Sequence, residues 1–205
     1  MNSKYQEPIE SSSIQPASLH DVENILEVIS SAFNFDPTWS WAFPDPLARK
    51  KFFELFIHGA LRHPYVFKLT NFAAVSIWVP PNETEFSEKQ VASIPNLLKE
   101  LVGSRAADVE ELLHRFEEAH PRSEPHYYLS LLGCHPEHRG RGLGMALLKE
   151  NLSQIDIQRM PAYLESSNPA NNHKYESLGF KPVSSFRIPG NGSIVTGMWR
   201  EKAHF

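Results

Sequence analysis

An apolar run ends in a basic glycine loop, and a helical pattern begins at once: Leu131-Leu132-Gly133-Cys134-His135-Pro136-Glu137-His138-Arg139-Gly140-Arg141-Gly142-Leu143-Gly144-Met145-Ala146. A strand that feeds a helix through so short a loop belongs in a layered α/β domain. The loop also carries chemistry. Glycines let the backbone approach a ligand closely, and the first-turn N–H groups of the helix lack intrahelical partners. The helix dipole adds roughly half a positive charge at that end, and Arg139 and Arg141 add full ones. The natural guest is a phosphate or pyrophosphate.

The rest of the chain reads as one domain over residues 12–205 behind a flexible polar tail, 1–11. Residues 12–17 suit a short strand. Ser18 reads as an N-cap, and Val22, Ile25, Leu26, Ile29 and Phe33 follow at helical spacing. Residues 34–45, with Pro37 and Pro44 among four aromatics, read as a loop. Asp45-Pro46 then opens a second helix that runs to about residue 62. Strands are expected at 65–70 and 72–79 with a tight turn at Asn71. A helical insertion is expected at 86–120, in two pieces, the second capped by Ser104. Its Glu110, Glu111, Glu117 and Glu118 read as a solvated face. The strand at 126–134 precedes the glycine loop, and the helix after it runs to about 157. A strand at 161–167, a short helix at 169–178 stopped by Gly179, and strands at 180–188 and 193–200 joined through Asn191-Gly192 complete the pattern.

Composition removes several classes. The single cysteine, Cys134, excludes an internal disulfide framework. The ten histidines show no paired ligand spacing, so no metal is expected. A net charge of −4 argues against nucleic-acid binding by bulk charge, and the longest apolar run, 72–79, is too short to span a membrane. The expected compartment is the cytoplasm, and the expected state a monomer or homodimer.

Two readings of the loop fail on spacing. A dinucleotide fingerprint needs its third glycine one residue later than Gly144, and the lysine-bearing pattern of a P-loop is absent. The pattern that fits is Arg/Gln-x-x-Gly-x-Gly/Ala, supplied by Arg139, Gly142 and Gly144. A second match lies downstream in Asn168, Tyr175 and Gly179-Phe180. On these residues the chain resembles the GNAT superfamily of N-acetyltransferases. Asn171 departs from it, since many members carry a small residue there. His126-Tyr127-Tyr128-Leu129, the loop, Ala162-Tyr163-Leu164-Glu165-Ser166-Ser167 and Met198-Trp199-Arg200 are similar to the branch that contains puromycin N-acetyltransferase.

The resemblance implies an α/β fold with a mixed, mostly antiparallel twisted sheet flanked by helices, and a splayed strand pair forming an acetyl-CoA cleft. It implies an acyltransferase that moves an acetyl group from acetyl-CoA, its co-substrate, to the primary amine of a small molecule by direct attack. Leu132, Gly133 and Cys134 would offer main-chain contacts to the pantetheine. Arg139, Gly140, Arg141, Gly142, Leu143 and Gly144 would hold the pyrophosphate, and Asn168, Asn171 and Tyr175 would complete the coenzyme site. Tyr175 matches the family tyrosine that protonates the departing thiolate; read by itself, it is a packing residue on a short helix. Glu165 is a candidate base or a structural carboxylate, and a water chain could replace it. His126 is a second candidate base, against the reading of a satisfied polar group, and His126 and Trp39 are candidate contacts to the acceptor, with ordinary core packing the competing reading for Trp39. Cys134, alone on an apolar strand, reads as a small hydrophobe rather than a nucleophile. The alternatives are a catalytically inactive acetyl-CoA sensor and a protein N-terminal or lysine acetyltransferase.

Overall fold

The computed structural model describes residues 14–203. The tail expected at 1–11 lies outside them. A 3₁₀ turn, Leu19–Asp21, leads into α1 (Val22–Ala32), and the Ser18 amide donates to the Asp21 carboxylate at 2.9 Å. Ile25, Leu26, Val28 and Ile29 form the buried face of α1.

Residues 34–45 are not the expected loop, because α2 (Pro37–Ala42) occupies their middle. Asp36 accepts hydrogen bonds from the amides of Thr38 and Trp39, each at 3.0 Å. Pro37 takes the first helical position, where its missing N–H is one of the groups that would lack a partner anyway. The proline that reads as an interruption is therefore a start signal. α3 (Pro46–Ala60) repeats the device, with Asp45 accepting from the Leu47 amide at 3.0 Å. α4 (Glu88–Val102) opens on a reciprocal cap between Ser87 and Gln90. A 3₁₀ turn, Gly103–Arg105, joins it to α5 (Ala106–Ala119). Ser104 lies inside that turn and Arg105 precedes α5, so the expected Ser104 cap is not made; Gly103, at φ +56°, turns the chain instead.

The sheet has seven strands: β1 (Ile14–Pro16), β2 (Val66–Leu69), β3 (Ala74–Val79), β4 (Tyr127–Cys134), β5 (Ala162–Ser166), β6 (Lys181–Arg187) and β7 (Ile194–Arg200). Their spatial order is β1-β2-β3-β4-β5-β7-β6, and only β4 and β5 run parallel. That pair is short. Tyr127, Tyr128 and Leu129 pair with Ala162, Tyr163 and Leu164, and β4 then continues alone through residues 130–134. On its other side the register with β3 jumps, because Trp78 faces Leu129 while Ile77 faces Leu131. Ser130 is thus the extra residue of a β-bulge. The core confirms it. Leu129 packs with Trp78, Leu148 and Leu152 on one face, whereas Leu131 packs with Ile25, Phe53 and Ile77 on the other. Residues two apart on a regular strand share a face, so an odd-numbered pair on opposite faces requires the bulge.

Helices α1 to α5 cover one face of the sheet and α6 (Leu143–Ile157) the other, and every residue of β3 is buried between them. Asn151 of α6, itself buried, accepts from Ser76 Oγ at 2.6 Å and from Trp78 Nε1 at 3.1 Å, which sets α6 on β3 without leaving a polar group unpaired. α7 (Asn172–Glu176) follows a 3₁₀ turn, Pro169–Asn171, beyond β5.

Candidate active site

β4 leaves the sheet at Cys134, and a 3₁₀ turn, Pro136–His138, delivers the chain to Arg139. Gly140 and Gly142 adopt φ of +76° and +74°. A Cβ at either would meet nothing within 4 Å, so backbone conformation rather than space calls for glycine there. Gly142 caps α6. Its carbonyl takes the Ala146 amide at 2.9 Å, and the amides of Leu143, Gly144 and Met145 stay free of intrahelical acceptors. Arg139 Nη2 donates to the Ala32 carbonyl at 2.6 Å and ties the loop to the end of α1. The result is a set of N–H groups beside the Arg139 guanidinium.

From this loop a cleft of ≈ 1640 Å³ runs along the free edge of β4 to the mouth formed by the β3–α4 connection and α5. Pockets for one drug-sized ligand hold about 300–1,000 Å³, so there is room for two substrates side by side. The His135 amide bonds the Ala73 carbonyl at 2.9 Å, and alternation along an antiparallel pair puts Gly133 and Leu131 in the same phase. The main-chain groups of Leu132 and Cys134 therefore face the side that β5 has left, where an extended ligand could pair with them.

Where the strands part, two carboxylates face each other. Glu165 follows Leu164, the last paired residue of β5. Its side chain is 2% exposed, Oε1 lies 3.6 Å from His120 Nδ1, and Oε2 has no hydrogen-bond partner. His120 Nε2 is 3.1 Å from His126 Nε2, and His126 Nδ1 is 2.8 Å from the Glu124 carbonyl. A carbonyl only accepts, so His126 donates from Nδ1, and its bare Nε2 accepts from the N–H of His120. Burial holds His126 below its ordinary pKa and keeps it neutral. His120 Nδ1 then faces Glu165 either as a lone pair or as an N–H, so one proton can serve both groups. On the β4 side, the bulge residue Ser130 donates from Oγ to Glu85 Oε1. Burial, with the charges of Glu165 and Glu117 adding to it, outweighs that hydrogen bond and pushes the Glu85 carboxyl up to about 8. Tyr128, whose ring meets His120 edge-on at 4.8 Å, is held well above its ordinary pKa by burial and by Glu165.

Tyr175 is half-buried on α7 and lines the cleft, packed edge-on against Phe180 at 6.3 Å. Burial and the Asp36 carboxylate push its phenol up to about 12, so it carries its proton at neutral pH. Burial also raises the Cys134 thiol, outweighing the Gly144 amide and the two arginines. A protonated thiol is a poor nucleophile, in keeping with the reading of Cys134 as a small hydrophobe.

The fold brings most of the expected site residues to this one cleft. Leu132, Cys134, Arg139 and the loop glycines line it with Leu143, and so do Glu165, Tyr175 and His126. Two do not reach the wall. Gly133 has its main chain in the β3 ladder and its α-carbon against α1, where a Cβ would lie 2.9 Å from Ile29 Cδ1. Arg141 points outward, its Nη1 3.3 Å from His138 Nδ1. Asn168 and Asn171 border the cleft, but their side-chain oxygens accept from the Ala170 amide at 3.1 Å and from Lys174 Nζ at 2.9 Å. Trp39 also borders it, yet its ring is 5% exposed and stacks on Phe116 at 5.9 Å among Phe52, Phe53 and Phe56. Glu85, His120, Tyr128 and Ser130 were not singled out by sequence. Glu85 sits in an irregular connection, and the role of Ser130 depends on a bulge that has no local signature.

The sequence model of the acetyltransferase (GNAT) domain matches residues 103–182. Three solved structures share the fold. A Corynebacterium glutamicum protein described as a histone acetyltransferase and related acetyltransferase is 23% identical, covering 94% of this chain and 97% of that one, with a TM-score of 0.65. A Drosophila melanogaster polyamine N-acetyltransferase is 16% identical over 92% of this chain and 98% of its own, with a TM-score of 0.64. A mosquito arylalkylamine N-acetyltransferase-like protein is 15% identical over 92% and 98%, with a TM-score of 0.60. Residues 103–182 thus match the acetyltransferase (GNAT) domain, and the chain as a whole shares the fold of these acetyltransferase structures.

Proposed function

We propose that this protein transfers an acetyl group from acetyl-CoA to the primary amine of a small molecule by direct attack. The observation that carries the reading is the continuous cleft joining the glycine-loop cradle to the splayed edge of β4 and on to Glu165. Acetyl-CoA supplies the activated thioester; the protein supplies positions and protons. The amides of Leu143, Gly144 and Met145 with Arg139 suit the diphosphate. The free edge of β4 suits the amide groups of pantetheine, and Gly133, turned towards β3, drops out of the contacts expected there. The Leu132 amide is placed to donate to the thioester carbonyl as negative charge builds on its oxygen.

The acceptor must reach the thioester as a neutral amine. Glu165 takes its proton and passes it to His120 Nδ1, a step the tautomers of His120 and His126 allow. Tyr175 donates to the departing sulfur. A thiol has a pKa near 8.5, well below the phenol here, so Tyr175 stabilises the thiolate mainly by hydrogen bonding. The likeness of residues 126–200 to the puromycin N-acetyltransferase branch, and structural neighbours named for polyamines and arylalkylamines, support a small amine as acceptor.

Release of free thiol from acetyl-CoA is to be measured against a panel of amines, with coenzyme A binding followed by thermal shift. Coenzyme at 100 times its Kd should raise Tm by about 5–10 °C, and Gly142→Glu, which sets a strained side chain and an anion at the cradle, should abolish the shift. Binding without transfer to any amine would instead make the protein a coenzyme sensor.

A further inference from the structure

The cleft is electrically lopsided. Its coenzyme end carries Arg139 and Lys174, while the far end is walled by Glu83, Glu85, Glu88, Glu117, Glu124 and Glu165. Two of these are answered by cations: Arg122 pairs with Glu117, and Lys202 lies 3.4 Å from Glu124. Among the described residues, Glu85 and Glu165 meet no lysine or arginine at ion-pair distance; the neighbours of Glu165 are His120 and the phenols of Tyr128 and Tyr163, none of which brings a permanent positive charge, and Glu85 has the Ser130 hydroxyl. Glu165 Oε2 is shut off from solvent, faces the cleft and has no hydrogen-bond partner. A buried carboxylate oxygen without a partner is costly, and a cationic ligand would supply what it lacks. One ammonium group cannot use the whole set. The reacting amine has to be neutral when it attacks, so it gives up its charge at Glu165, and Glu83, Glu85 and Glu88 then face the cleft with no lysine or arginine paired to them among the described residues.

Building on the acyl-transfer reading, we propose that the acceptor is a dication, a primary amine joined through a short apolar chain to a second cationic group. The primary amine meets Glu165 at the strand splay. The second cation stays charged and sits towards the mouth, between Glu85 and the exposed carboxylates of Glu83 and Glu88. Phe86 and Phe116 wall that path and suit the methylene chain. The exposed carboxylates attract the dication from a distance; Glu165 meets its amine where water is scarce, and a cation beside Glu85 favours the ionised form of a carboxyl that is otherwise protonated.

The test compares 1,4-diaminobutane and agmatine with n-butylamine, phenylethylamine and an aminonucleoside, in thiol release and in thermal shift of the enzyme saturated with coenzyme A. A dication acceptor predicts kcat/KM at least tenfold higher for the diamines than for n-butylamine. The ratio should fall with added salt and narrow by threefold or more in Glu85→Gln and in Glu83→Gln/Glu88→Gln. Equal or better transfer to the monoamines overturns the dication while leaving acyl transfer intact. A coenzyme-bound enzyme that is stabilised by diamines alone, yet acetylates no amine, keeps the dication site and overturns acyl transfer. No coenzyme binding and no diamine binding overturns both.

Discussion

At the Tyr175 hydroxyl the proposed reaction asks for a proton held ready, and burial beside Asp36 supplies it. Tyr175→Phe removes that one donor and leaves the ring packed on Phe180. It should lower kcat by about 10²-fold with little change in coenzyme affinity, read by steady-state kinetics beside a binding isotherm. Glu85 makes a different prediction, about stability. Its carboxyl titrates near 8 in the folded protein and near 4.5 when unfolded, so the native state holds the extra proton between those values. Stability therefore falls as pH rises from about 4.5 to 8, where wild-type Glu85 has to ionise among other carboxylates. Glu85→Gln cannot ionise. Its Tm should match wild type near pH 4.5 and exceed it by several degrees, about 5 °C, at pH 8, in a melting series across that range.

Among the elements, α2 decides how the cleft is closed. Asp36 caps it, and its Oδ2 also accepts from Ser167 Oγ at 2.7 Å, while Thr38 Oγ1 donates to the Ser167 carbonyl at 2.8 Å. These bonds bind α2 to the end of β5, beside Tyr175. Burial raises the Asp36 carboxyl above its ordinary pKa even so, which marks how little water reaches the joint. Asp36→Ala loses the cap and the strut together. It should cost about 2 kcal/mol in denaturant unfolding, at the upper end of cap removals, and should weaken turnover through the displaced wall. The bulge at Ser130 is the other deciding element. It turns Leu131 to the face covered by α1 and α3, stands where the β4–β5 pairing ends and brings a hydroxyl to Glu85.

On the scale of the whole molecule, the aromatic cluster around Trp39 locks α2, α3 and α5 together beneath the cleft. Trp39→Ala should therefore read as a core mutation, destabilising by about 3–5 kcal/mol in denaturant melts. Loss of acceptor affinity without loss of stability would restore Trp39 to the substrate contacts expected from sequence.

The order of elements, the amphipathic faces and the glycine loop are legible because each rests on neighbours in the chain: helical spacing in α1 and α6, left-handed glycines at 140 and 142, and a cap one residue before a proline. The same local chemistry at Asp36-Pro37 does not announce its helix, since so few residues show no periodicity to set against the prolines. What the chain alone determined is a layered α/β domain with a glycine loop between a strand and a helix. Only the tertiary structure decided that Glu85, His120 and Glu165 share one dry end of the cleft, and that Gly133 turns away from it. The three carboxyl and imidazole groups come from a connection, a helix end and a strand far apart in sequence, and the phase of β4 that turns Gly133 towards β3 follows a bulged residue defined only against the partner strand.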